Sequence, residues 1–407
     1  MKTKLLLSII SSAFFLVCQS QQSSWIPQNS PSTDNFQSVY FIDQDNGWIV
    51  SEQGALIFTK DGGNSWQLKN LSGILESVFF SNNNHGCIVG RTITPSDSSL
   101  ILISEDGGEN WSEVDHFKIN RLNDVYFIND DIGWAVGSID EWNLNSCLYT
   151  IDGGNTWIIQ ESLSVVDGEL FAVSFRDENL GSTCGNDGAF FITNNGGTQS
   201  WAMGVSMPIV KLNDIFNFGI LNGCIVGDEG TILYTINNWY QYIEQNSNTS
   251  EDLNGVSGET VTNKLWVVGD NGTILYSPNY LLGWTYQNSG VTENLNSICM
   301  LNEIEGWAVG DNGSLLHYSP YISISNSNEP QIDIFPNPSS RRLIIQNDNP
   351  SSFYKIQIHD SNGKMVFGGN LLHDSPLIID VTGYESGLYF LTISNNTMNL
   401  VKKIIVK

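Results

Sequence analysis

Lysine, arginine, cysteine and histidine are all scarce in this chain: 17 Lys and Arg, 6 Cys and 5 His among 407 residues. No Cys-x-x-Cys or His-Cys cluster occurs, so the patterns of thiolate metal sites and redox dithiols are missing, and neither metal nor cofactor is expected. Long apolar runs are missing too. The one candidate, Leu5 to Val17, is too short for a comfortable membrane span, and nothing later reaches that length. With Lys2 and Lys4 before it and Cys18-Gln19-Ser20 after it, residues 1–20 read as a secretory signal. Cleavage after Ser20 leaves Gln21 at the mature N-terminus. Lipidation of Cys18 is disfavoured, because Phe15-Leu16-Val17 lacks the small residue such sites need. The five remaining cysteines (Cys87, Cys147, Cys184, Cys224 and Cys299) are odd in number and sit in apolar strands, as buried thiols that pack like small hydrophobes.

The shortage of positive charge is local. Residues 21–320 hold 8 Lys and Arg against 36 Asp and Glu, while residues 321–407 hold 7 of each. A segment this acidic repels nucleic acid and anionic surfaces, which excludes both as main partners.

What the chain has in quantity is glycine and tryptophan, 38 and 12 residues, and both follow a repeat. Thr59-Lys-Asp61-Gly62-Gly63-Asn-Ser-Trp66 returns as Ser104-Glu-Asp106-Gly-Gly-Glu-Asn-Trp111 and as Thr150-Ile-Asp152-Gly-Gly-Asn-Thr-Trp157. Asn195-Gly-Gly with Trp201 is a looser copy. An Asp or Asn side chain accepts backbone N–H groups just beyond it, the glycines take positive φ, and the Trp opens the return strand. Such a turn builds a hairpin and does no chemistry.

Aligning the apolar residue early in each unit gives Val39, Val78, Val125, Val173, Ile215, Val256 and Ile298, at spacings of 39 to 48 residues. Seven units of this size fit an all-β, seven-bladed β-propeller, each blade carrying strands a to d from the channel outward. Strand b is the clearest column, as in Gly47-Trp-Ile-Val50 and Gly306-Trp-Ala-Val309, apolar on both faces as a sheet covered on both sides requires. The last unit has no Trp-led strand d. Ser24-Trp25-Ile-Pro-Gln-Asn-Ser30 resembles Gly283-Trp284-Thr-Tyr-Gln-Asn-Ser289, so the N-terminal strand is expected to close the last blade.

The Asp-Gly-Gly-x-x-Trp turns, with Gly133-Trp-Ala-Val-Gly137 and Asp311-Asn-Gly-Ser-Leu-Leu-His, resemble Asp-box (BNR) propellers, and among them the photosystem II stability and assembly factors. The likeness implies the fold and leaves the activity open, because Asp boxes occur in sialidases, xyloglucanases, receptors and assembly factors alike. Sialidases of this class use an arginine triad, whereas the propeller segment offers only Arg91, Arg121 and Arg176 and no Arg-Ile-Pro motif. A non-catalytic binding or assembly module is therefore expected, with no catalytic residue assigned. A secreted glycoside hydrolase is the alternative.

Residues 321–331 read as a linker, and 332–407 as a small β-sandwich. Its Pro336-Asn337-Pro338 entry, Asp360-Ser-Asn-Gly363-Lys364 turn, Gly387-Leu-Tyr389 strand and basic last strand with Lys402 and Lys403 resemble, in order, the type A sorting domain of the type IX secretion system. The resemblance implies export across the outer membrane, to the cell surface or beyond, with the secretion machinery as partner. A protein or glycan ligand is expected on the face formed by the b–c and d–a loops. Two long b–c insertions, Arg91 to Ser99 and Ser138 to Asn145, point to Trp142 as anchor and to Arg91, Asp140 and Glu141 as its polar rim.

Overall fold

A computed structural model describes residues 23–407 apart from 94–97, 115–120, 140–143, 161–167, 199, 220, 261, 280–281, 321–331, 336–338, 340, 348–353, 362, 372–376 and 395–398. The chain divides into two compact units between residues 321 and 322.

In the first unit the described residues form seven four-stranded antiparallel sheets. The innermost strands, a, are Phe36–Phe41, Ile74–Phe80, Arg121–Phe127, Leu170–Phe175, Leu212–Phe218, Leu253–Glu259 and Leu295–Asn302. Each packs against strand a of the next sheet, and the seventh packs against the first. Strands b and c are almost wholly buried, as in Gly47–Ser51 and Ala55–Thr59, because neighbouring sheets cover both faces. The seventh sheet is completed by Ser23–Pro27, which pairs antiparallel with Leu315–Pro320 and sets Trp25 opposite Tyr318. Trp25 is buried, and its indole N–H donates to Gln287 Oε1 at 2.9 Å.

The Asp turns join strands c and d. Asp61 Oδ1 accepts the Ser65 N–H at 2.9 Å and the Thr59 hydroxyl at 2.8 Å, while the Gly63 N–H donates to Thr59 Oγ1. Asp106 and Asp152 repeat this geometry with Asn110 and Thr156, and Asn195 accepts the Thr193 hydroxyl. Side-chain bonds from Ser65 and Asn110 hold the Asp61 and Asp106 carboxyls below the usual range. Gly63 has φ +79°, and a Cβ there would meet the Trp307 indole at 2.2 Å, so the turn of one sheet accepts the strand-b indole of its neighbour. Trp48 and Trp134 go further, donating their indole N–H to Gly107 O at 3.1 Å and Gly196 O at 2.8 Å. Of the box tryptophans, Trp157 and Trp201 are buried. Trp66 is only half-buried, meeting Phe41 and Trp307 edge-on. Trp111 is likewise half-buried, edge-on to Phe80.

Both b–c insertions are shorter than the sequence suggested. Arg91 pairs with Ser99, and Ser138 and Ile139 with Asn145 and Leu144, since continuing the ladder satisfies backbone groups that a loop would leave open. The five cysteines among the described residues are free thiols; Cys299 is half-buried and the rest are buried.

The second unit has a three-stranded sheet, with Arg342–Asn347 between Ile332–Phe335 and Leu377–Asp380, and a four-stranded sheet ordered Met365–Leu371, Tyr354–Asp360, Gly387–Ser394, Asn399–Val406. One core joins the two sheets, with Leu343 and Ile345 packed in a cluster with Ile356, Ile358, Leu391 and Ile404. Among the described residues no helix is long and apolar enough to cross a membrane.

Candidate site at the channel mouth

Strand a carries a bulge after its first leucine or phenylalanine in all seven sheets, for example between Leu122 and Asp124. A bulge sets two successive residues opposite one on the partner strand. Reading those two positions around the ring gives Gln37-Ser38, Glu76-Ser77, Asn123-Asp124, Phe171-Ala172, Asn213-Asp214, Asn254-Gly255 and Asn296-Ser297. All but Gly255 line a single central cavity of about 300 Å³, with Arg121 and Lys211 at its edge.

The inner position fastens neighbouring sheets. Ser297 Oγ accepts the Val39 N–H at 3.2 Å and Ser38 Oγ the Val78 N–H at 3.3 Å. Where the residue is Asp it fastens two groups. Asp124 takes its own sheet's Val125 N–H and the next sheet's Val173 N–H, both at 2.9 Å, and also the Ser77 hydroxyl. Asp214 does the same for Ile215 and Val256. Burial pushes the Asp124 carboxyl up to about 7, with the Asp214 charge adding to it, and pushes Asp214 up to about 6. The backbone N–H bonds pull against both shifts.

The outer position makes a second belt. Asn123, Asn213, Asn254 and Asn296 each donate to a backbone carbonyl of the next sheet: Leu170, Leu253, Leu295 and Phe36. The belt is interrupted at Gln37, Glu76 and Phe171, and the positive charges gather beside the last two. Arg121 Nε lies 2.9 Å from Glu169 Oε1, and its Nη2 lies 3.5 Å from Glu76 Oε1. Burial pushes the Glu76 carboxyl up, while Arg121 and Arg91 pull it down. Lys211 is exposed, its ammonium stands 4.3 Å over the Phe171 ring, and it makes no ion pair among the described residues. Two of the eight basic residues of residues 21–320 thus line one opening, and the charge of a third, Arg91, reaches Glu76 in its wall.

Of the residues singled out in the sequence, Arg91 is half-buried at the end of strand b and its charge reaches Glu76. Trp142, Asp140 and Glu141 lie outside the described residues, as do the N-terminal leader and Pro336-Asn337-Pro338. Lys211, Phe171 and Glu76 had no role in the sequence reading, and Arg121 entered it only in the comparison with an arginine triad. The pair of positions preceding the repeat valine, read as a column, would have found Phe171 and Glu76; Arg121 and Lys211 each stand four residues before the repeat residue, Val125 and Ile215. In the second unit, Asp360 O accepts the Gly363 N–H and Asp360 Oδ1 the Lys364 N–H, closing the expected turn with Gly363 at φ +79°. Tyr389 is buried and donates its hydroxyl to Glu385 O at 2.8 Å. Lys402 and Lys403 lie on the last strand, opposite Leu391 and Phe390. Among the described residues no group of three or more His, Cys, Asp or Glu could hold a metal ion.

Fold and tail together define a class: a β-propeller joined to a sorting domain that directs export through a secretion system. Residues 333–407 match the secretion system C-terminal sorting domain, and residues 16–118 match the photosynthesis system II assembly factor YCF48. Similar curated proteins are the chloroplastic photosystem II stability/assembly factors HCF136 of Guillardia theta, 27% identical over 139 residues, and of Oryza sativa subsp. japonica, 24% identical over 175 residues. These matches cover 31% and 43% of this chain, and the chain spans about a third of the length of each relative, 34% and 36%. Among solved structures, YCF48 bound to D1 peptide superposes with TM-score 0.58 at 20% identity, over 72% of this chain and 94% of that one. YCF48 from Cyanidioschyzon merolae gives 0.58 at 16%, over 73% and 99%, and the WD40 propeller of Doa1 gives 0.57 at 12%, over 74% and 97%. At these identities the superpositions establish the propeller fold.

Proposed function

We propose that the propeller is a non-catalytic binding module, carried to the cell surface or beyond by its C-terminal domain, and that it seats a partner over the channel mouth. The observation that carries this reading is the convergence of Arg121, Lys211 and Phe171 on one rim of an otherwise acidic protein. An exposed cation resting on an aromatic ring is ready to meet a carboxylate without first breaking an ion pair. One of the similar structures holds a peptide, and an extended protein segment bearing an acidic group suits this rim. Arg91 and Ile139 end strands b of sheets two and three, and the b–c connections that follow them, with Trp142, are proposed to flank that segment. The glycoside hydrolase reading loses ground here. Asp124 and Asp214 are buried carboxylates of the channel, and each fastens backbone N–H groups of two sheets, a structural role that accounts for their presence without glycoside chemistry.

The test is capture of surface partners by the purified propeller. Lys211→Glu should abolish capture while the melting temperature stays put, because Lys211 is exposed and unpaired. Trp142→Ala should weaken capture by about 2 kcal/mol. A partner retained at full strength by Lys211→Glu would remove the channel mouth from consideration.

A further inference from the structure

The fifth sheet contains a turn that the sequence repeat conceals. Thr235-Ile-Asn237-Asn238-Trp239-Tyr240-Gln241-Tyr242 has no Gly-Gly pair, yet it closes with the same bonds. Asn237 Oδ1 accepts the Thr235 hydroxyl and the Gln241 N–H, both at 3.0 Å, and Thr235 Oγ1 accepts the Trp239 N–H at 3.1 Å. Asn238 and Trp239 therefore hold the two glycine positions, at φ +56° and +62°. That conformation strains residues with a Cβ and persists where the surroundings enforce it. Here the tryptophan has moved from the start of strand d into the turn. Its indole is 1% exposed and donates to Asn217 Oδ1 at 2.9 Å, and Tyr242 stands at the usual Trp position.

Beside this turn lies a cleft of about 430 Å³, on the face opposite the channel mouth. Tyr234, Tyr240 and Tyr242 line it, together with aliphatic side chains and the amides of Asn237 and Gln241. Tyr240 is 76% exposed. Among the described residues no charged side chain lines the cleft. Asn237 spends only its oxygen on the turn. The Gln241 amide and the hydroxyls of Tyr240 and Tyr242 have no protein partner among the described residues.

We propose that this cleft binds a neutral oligosaccharide, with a pyranose face on Tyr240 and its hydroxyls on the Asn237 and Gln241 amides. Aromatic walls with a few convergent polar groups are what a small ligand site offers, and a pyranose presents an apolar C–H face rimmed by donors and acceptors. The absence of charge in the cleft disfavours ionic ligands: an anion would face an acidic protein and a cation would find no carboxylate. A purely apolar peptide would bury the amides without partners, which is costly.

The experiment titrates the full chain with cellohexaose, xylohexaose, mannohexaose and laminarihexaose, read by calorimetry. At least one sugar should bind. Tyr240→Ala should weaken that binding tenfold or more with an unchanged melting temperature, and Gln241→Ala should weaken it less. Lys211→Glu, on the other face, should leave it intact, so this proposal and the channel-mouth reading fail separately. No binding to any of the four overturns it, as does binding that survives both cleft variants or that is lost in Lys211→Glu. A Leu- and Phe-rich peptide bound at Tyr240 while every sugar is silent also overturns it.

Discussion

Asp124 serves two sheets with one carboxylate, and the cost appears in its protonation. Its folded-state value near 7 lies above the ordinary carboxylate value because burial disfavours the charge. The native protein therefore holds a proton that the unfolded chain has released, and between about pH 4 and pH 7 this residue makes stability fall as pH rises. Asp124→Asn removes that titration and also loses one accepted N–H bond. The variant should be less stable than the native chain at pH 4, and the gap should narrow towards pH 7. Melting curves at several pH values check this; a gap that widens with pH contradicts it. The repeat valines were legible because seven apolar residues recur at blade spacing. The latches beside them were not, because Ser, Asp, Ala and Gly share no composition signal, and only the bulge brings them to the channel. Lys211 went unnoticed, and Arg121 was given no binding role, for the same reason: nothing local separates them from other basic residues until the ring sets both at one opening.

At the scale of elements, the N-terminal strand was readable from its likeness to the start of strand d in the sixth unit, Trp284 and its neighbours. Burial and pairing explain the likeness: Trp25 fills the space against Tyr318, Trp266 and Ile274 that a fourth strand must fill. Trp25→Ala should lower stability by about 3–5 kcal/mol. An unchanged urea midpoint would mean that the seventh sheet does not depend on this strand. The Asp turns show the limit of motif reading. Four announce themselves through glycine, and the fifth does not, because Asn238 and Trp239 adopt the same positive φ without it. The element common to the turns is a Thr or Ser hydroxyl and the amide or carboxylate two residues on, a pattern too short to stand out unaided.

At the scale of the molecule, the two units have separate cores, Leu343 with Ile356 and Leu391 in one and the seven sheets in the other. Ending the chain after Gln331 should leave the propeller melting as before but retained inside the outer membrane; cell fractionation with a thermal melt checks both, and truncated protein found outside at normal levels would contradict the sorting role. The composition break near residue 321 made this division legible, whereas ligand chemistry was not, since it depends on side chains from distant blades. The pairing of Trp25 with Tyr318 also has a consequence for time. Of the propeller's described strands, the one synthesised earliest has its partner near the end of the propeller, and joining them costs about 5 kcal/mol of loop entropy if the chain between is unstructured. Sheets one to six can pair locally as they emerge, and once folded they shorten that search. Until residue 320 arrives, that outer strand has no partner, so the growing chain carries an open seam, exposed to proteases and to other chains, that shuts only when the propeller has been made in full.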